Sequence, residues 1–283
     1  MFEKAPRILC PVDFSESSGD ALKASVGIMR AYGGDLPVTA LFADTFEPPP
    51  YFTSGQEKKL AEGIERSIKA TAKKVDRFVA GVLGVRSGVG TVVRQGQPVR
   101  TILAAAGELD AGLIVMGSHG KSGITRLMLG SVTEKVLAES SIPVLAIRGG
   151  EAAAGESFRP TRIVCPVDFS ETSKNALKEA VALASRFSAR VDAVHIVEEG
   201  AESEAREKLC GFVNPGAAAS CSLESVVKSG RTAEEVIEIA GSGWGNLIFL
   251  GARRKPLGDV TVFGQNVFRI TRHARCPVLV LPG

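Results

Sequence analysis

The chain has 283 residues, 45% of them hydrophobic and 23% charged, with a formal net charge of +3. That charge is too small to argue for nucleic acid or an acidic membrane as a partner, and no apolar run approaches the ~20 residues of a membrane-spanning helix. The length is twice that of an ordinary domain of about 140 residues, and Met1–Arg7 leads into a strand without a signal-type apolar core, so two domains of a cytoplasmic protein are expected.

In chain order, Arg7–Val12 is a short apolar run, as for a strand buried on both faces. Ser15 or Ser17 can cap a helix that continues to about Tyr32, where Gly33 and Gly34 stop it. Val38–Ala43 is a second strand. Beyond the proline-rich loop at Glu47–Pro50, Leu60, Ile64, Ile68, Val75 and Val79 mark one face of a long helix. Val89–Val93 is a third strand, and Pro98 opens a helix at its first turn. Leu113–Met116, Ser131–Ser140 and Val144–Ile147 complete the series as strand, helix and strand. Five strands separated by helices argue for a Rossmann-like, doubly wound α/β domain whose parallel sheet binds ligands at the carboxyl ends of its strands.

The series occurs twice. Thirteen of the seventeen positions from Arg7 to Lys23 are identical to those from Arg162 to Lys178, at an offset of 155. A second block repeats at an offset of 134, mapping Gly96 to Gly230, Gly117 to Gly251 and Pro143-Val144-Leu145 to Pro277-Val278-Leu279. The smaller offset means that the second copy is shorter between the two blocks, with its helix before the third strand cut to about Ser203–Phe212. The small, polar stretch from Gly149 to Ser157 joins the copies, giving domains at 1–150 and 151–283.

Directly after the fourth strand of copy one come Gly117-Ser118-His119-Gly120-Lys121-Ser122-Gly123 and, past Arg126, Gly130-Ser131. Glycines allow close backbone approach to a ligand, and a helix starting at Gly130-Ser131 offers unpaired N–H groups and a positive dipole end. With Lys121, Ser122, Arg126 and the Ser131 hydroxyl nearby, the pattern is that of a phosphate site. It is not a Walker A loop, because Val115 stands where the first glycine is required, and no G-x-G-x-x-G follows the first strand. Asp13, just past the first strand, either accepts from a ribose or base or serves as an acid at a helix entry. The five cysteines form no C-x-x-C pair; Cys10 and Cys165 end apolar runs and fit small buried hydrophobes better than redox or metal groups.

Pro11-Val12-Asp13, Gly96-Gln97-Pro98, Met116 through Gly123, Gly130-Ser131-Val132 and Ile142-Pro143-Val144-Leu145 together resemble the universal stress protein family, and the spacing G-x2-G-x9-G-S resembles its ATP-binding branch. The resemblance covers nearly all of both copies, apart from Thr45–Ala80 and the joint. It implies ATP across the sheet edge, with Asp13 on the ribose or base and Pro11, Val12 and Leu41 walling the adenine. Met116, Gly117, Gly120, Lys121, Gly130, Ser131 and Val132 would surround the phosphates and ribose. Magnesium or manganese would be held mainly by phosphate oxygens and water, without a ligand set from the protein. The family tends to dimerise through its last strands; here Val144–Ile147 and Val278–Leu281 could pair within one chain, and a homodimer is a further expectation.

Copy two departs from the pattern. Arg254 replaces the middle glycine, Gln265 replaces the serine, and Pro256 removes an N–H donor, while Gly251 and Gly264 keep the register. Either this half is degenerate, or Arg253, Arg254 and Lys255 bind an anion through their side chains. No catalytic residue is identified: Glu134, Glu139 and Asp44 are acids near the loop, but their placement equally suits a solvated face or a strand end. The expected function is ATP binding in a stress response or its regulation, with at most slow hydrolysis. Two other readings are a structural dimerisation module with a vestigial site and an adenylyl-transfer enzyme of the same topology. The enzyme would need a phosphate loop or His pair where this chain has Asp13-Phe14-Ser15-Glu16.

Overall fold

The computed structural model describes residues 2–4, 6–34, 37–45, 54–84, 87–119, 129–148, 158–213, 221–243, 245–257 and 260–283. Gly120, Lys121, Ser122, Gly123 and Arg126, and the joint at 149–157, lie outside them.

The first half runs β1 (Ile8–Pro11), α1 (Glu16–Ala31), β2 (Val38–Asp44), α2 (Ser54–Leu83), β3 (Gly90–Gln95), α3 (Pro98–Glu108), β4 (Leu113–Gly117), α4 (Ser131–Glu139) and β5 (Val144–Ile147). The second runs β6 (Arg162–Pro166), α5 (Glu171–Phe187), β7 (Arg190–Val197), α6 (Glu202–Phe212), β8 (Leu223–Ser229), α7 (Thr232–Ala240) and β9 (Asn246–Ala252). It continues through β10 (Arg254–Leu257), β11 (Val260–Phe263), α8 (Gln265–His273) and β12 (Val278–Pro282). The doubly wound architecture expected from the sequence is present in both halves. Ser15, not Ser17, caps α1 by accepting from Ser18 N–H at 3.1 Å, and Ser170 caps α5 in the same way. The third strand sits slightly later than its apolar run suggested, because pairing with β2 carries it on to Gln95. The antiparallel pair β10–β11 was not foreseen. It forms a separate two-stranded ribbon within the loop of the second half.

Ten strands form one sheet in the order β3-β2-β1-β4-β5-β12-β9-β6-β7-β8. Pairing is parallel within each half, and β5 meets β12 antiparallel, with Leu145 opposite Leu279. The last strands therefore pair inside one chain, and the carboxyl edges of the two halves open on opposite sides of the sheet. Strand alternation builds a core on each face. Ile8, Cys10 and Val12 join Leu113 and Val115 under α1 and α2, and the same layer continues beneath α5. Leu9 and Leu41 join Ile114 and Met116 beneath α3 and α4. Burial pushes the Cys10, Cys165 and Cys276 thiols up to about 12, as suits packing rather than reactivity.

Two aromatic arms cross between halves. Phe2, ahead of β1, packs edge-on against Phe249 of β9, and its N–H donates to Glu179 of α5 at 2.6 Å. Phe158, ahead of β6, lies on Gly27 of α1, where any Cβ would fall 2.5 Å from the Phe158 carbonyl oxygen. Among the described residues no helix is long and apolar enough to cross a membrane.

Candidate functional site

In the first half the strand order reverses direction between β1 and β4, so a crevice opens beyond their carboxyl ends. A cavity of about 390 Å³ occupies it, within the range of small-ligand sites. Pro11, Val12, Asp13, Leu41, Met116, Gly117, Gly130, Ser131 and Val132 all line it. These are nine of the eleven residues named from the sequence; Gly120 and Lys121 lie outside the described residues. Glu134, Glu139 and Asp44 do not line the cavity.

Each element reaches the cavity for a local reason. The β1–β2 register places Pro11 beside Leu41, so Phe42 and Ala43 extend the apolar wall past the end of β1. Gly96 has φ +131°, a turn open to glycine, and its N–H donates to the Asp44 carbonyl at 2.9 Å. That turn sets Pro98 at the start of α3 and brings Ile102, one turn later, onto the floor. These wall residues, with Ser18, His119 and Thr133, were not named from the sequence as site residues. The i to i+4 step from Pro98 was a usable signal for Ile102. Nothing in the spacing pointed to Ser18, which comes from the first turn of α1.

The polar end is built around α4. Its cap residue, Gly130, is extended (φ −66°, ψ 144°) and provides no side-chain cap, in contrast to Ser15 on α1. The first-turn N–H groups of α4 therefore face the cavity end without a capping side chain, as an anion site requires. Gly130 N–H donates to the Ser118 carbonyl at 2.7 Å, and Ser118 N–H to the Ile147 carbonyl at 2.9 Å, closing the neck of the intervening loop. The Thr133 hydroxyl donates to the Gly117 carbonyl at 2.8 Å, fixing α4 against the end of β4.

Asp13 stands at the entry of α1 and also faces the cavity, and its Oδ1 accepts from Ser15 N–H at 3.0 Å and from the Ser15 hydroxyl. Between them Phe14 adopts φ +64°, a left-handed conformation costly for a bulky residue, and Phe42 and Phe78 pack against its ring. Phe169 repeats this at φ +60° between His195 and Phe212. The repeated Pro-Val-Asp-Phe-Ser stretch is thus a folding device as well as a cavity wall.

Gly117 likewise serves the fold. A Cβ there would lie 2.5 Å from Ser17 Oγ and 2.8 Å from its carbonyl oxygen, so glycine is what lets α1 pack on β4. At Gly251 a Cβ would lie 2.7 Å from the Thr172 carbonyl oxygen, the matching position of α5. The second half keeps this glycine for the same packing reason. Elsewhere its cleft differs. His195 stands where β2 has Phe42, and its Nδ1 is 2.7 Å from the Val167 carbonyl oxygen. Burial would raise the Asp168 carboxyl, but hydrogen bonds from Ser170 and Ser173, with the nearby Arg253 charge, hold it below the ordinary carboxylate range.

Among known proteins, the model of the universal stress protein family matches residues 4–148 and again 160–209. A universal stress protein of Methanocaldococcus jannaschii is 31% identical over 143 residues, spanning 50% of this chain and 81% of its own length. One from Mycobacterium tuberculosis is 28% identical over 251 residues, spanning 80% and 75%. The crystal structure of a universal stress protein from Archaeoglobus fulgidus has the same fold, with a TM-score of 0.72 at 21% identity over 99% of each chain.

Proposed function

The chain belongs to the universal stress protein family, and we propose that its first half, residues 1–150, binds ATP as a regulatory ligand in a cytoplasmic stress response. The observation that carries this is the cavity, with apolar walls from Pro11, Leu41, Ile102 and Met116 and the uncapped start of α4 at its polar end. A flat base suits the walls, and phosphate suits the N–H groups and dipole of α4. Asp13 would take the ribose or base. Gly120 and Lys121 would complete the phosphate loop.

Magnesium or manganese would ride on the phosphates. Among the described residues no three His, Cys, Asp or Glu side chains converge to hold a metal, and Asp13 is the only carboxylate lining the cavity. The second half, residues 151–283, acts as a structural and regulatory partner. Because β5 and β12 already pair with each other, a homodimer would use other surfaces.

Ser131→Asp tests the reading. Ser131 is exposed at the first position of α4, so a carboxylate there suits the helix dipole but repels phosphate. Equilibrium dialysis is expected to show at least a tenfold loss of ATP affinity with the melting temperature preserved. Undiminished binding would remove α4 from the phosphate site. Absence of ATP binding by the native chain would reject the reading and favour the structural-module alternative.

A further inference from the structure

Arg148 follows β5 directly and is buried, only 8% exposed. Its guanidinium crosses to the second half, where Nη2 donates to the carbonyls of Thr271 and Arg272, each at 2.6 Å. Those carbonyls belong to the last turn of α8, the negative end of its dipole, where a cation is favoured. Burial pulls the arginine's pKa down to about 10, which still leaves it a cation at neutral pH.

The position of Arg148 ties it to the first cleft. The residue before it, Ile147, accepts the Ser118 N–H, and Ser118 in turn accepts from Gly130 at the start of α4. An uninterrupted chain of hydrogen bonds therefore runs from the phosphate end of the cavity to the strand that carries the clamp. A second contact runs parallel to it. The ribbon strand β11, which leads through Gly264 into α8, packs on α4 itself. The segment β11–α8 is thus touched at both ends, by α4 of the first cleft and by the arginine that follows β5. The clamp has no reciprocal: at the matching register the second half has Pro282, which cannot donate.

We infer that Arg148 makes α8 the readout of nucleotide occupancy in the first half, a coupling that is reciprocal in free energy and is carried by this one clamp. The inference rests on ATP binding in the first cleft. Ligand contacts that fix Gly130 hold Ser118 through its bond to Gly130, and with it β5, its arginine and the last turn of α8.

The test is amide hydrogen exchange on the full chain, with and without magnesium ATP, beside equilibrium dialysis of ATP. In the native chain, saturating ATP is expected to slow exchange in the last turn of α8 at least threefold, along with α4. In Arg148→Met, protection of α4 should persist, ATP affinity should stay within about threefold, and the α8 response should vanish. Arg148→Lys keeps the charge but loses the planar fork, and should retain part of the response. ATP binding by the native chain without an α8 response would overturn the coupling alone, whether or not the variants fold. A full α8 response in Arg148→Met would overturn the clamp as its route. Absence of ATP binding would overturn the coupling together with the assignment of the cleft.

Discussion

The two halves share the strand order, the left-handed phenylalanine after the first strand, and the glycine beneath the first helix, yet only the first pairs these with a glycine-rich loop and a serine at the start of α4. The shared features answer to packing. Of the unshared ones, Ser131 lines the first cavity. The same division appears on the outer face of the first helix. In the first half α2, 30 residues long, lies close to α1, and a Cβ at Gly19 would come 3.3 Å from Val82. In the second half α6 has 11 residues and packs mainly on β7 and β8, and the matching residue is an exposed Lys174. Asp20, buried in the first half, is matched by an exposed Asn175. Shortening one helix was accompanied by a polar face on the helix it would have covered.

The strongest challenge to this comparison is to substitute both packing glycines. Gly117→Ala and Gly251→Ala should each destabilise the chain by about 2–3 kcal/mol through overpacking against backbone, measured by urea denaturation. A loss of nucleotide affinity at Gly117→Ala with unchanged stability would return that glycine to a purely ligand-binding role.

Next in size is the asymmetry of the two aspartates. Asp13→Asn keeps the turn to Ser15 but removes the charge, and should weaken ATP binding about fivefold, roughly 1 kcal/mol. Asp168→Asn should leave ATP affinity unchanged. Equal effects of the two would mean that both clefts hold nucleotide.

A smaller effect is expected at Asp20. Its Oδ2 has no hydrogen-bond partner among the described residues, and burial raises its pKa, only partly opposed by Lys23 at 3.2 Å. A carboxyl raised above its unfolded value costs stability at neutral pH, and the cost fades as pH falls towards the unfolded value near 4. Asp20→Asn should therefore stabilise the chain at pH 7, by less than about 1 kcal/mol, and the gain should disappear on acidification. A gain that grows towards pH 4 in thermal melts would contradict the assignment.

The smallest is the mirror case. Asp168 is held below its unfolded pKa, so its ionised form favours the fold above that value and the benefit is lost as pH falls through the lowered one. The stability difference between the native chain and Asp168→Asn should shrink below about pH 4. A difference that is flat across that range would show that the turn does not depend on the charge.

The amino-acid sequence alone determined the duplication, the order of strands and helices in the first half, and nine of the residues that line the first cavity. The elements rest on periodicity and spacing along the chain, whereas Pro11, Val12, Leu41, Met116 and Val132 rest on the resemblance to the universal stress protein family. The offset between the two repeated blocks even located the shortened helix. Tertiary structure decided the rest. Pairing across β2 brought Phe42 into the wall, the first turn of α1 brought Ser18, and the separation of Gly117 from Ser17 revealed a packing role that no spacing rule implies. The ribbon β10–β11 and the reach of Arg148 to α8 also needed the fold, because both depend on two distant segments being set side by side. Periodicity reports which face of an element is buried. It carries no information about which element will bury it.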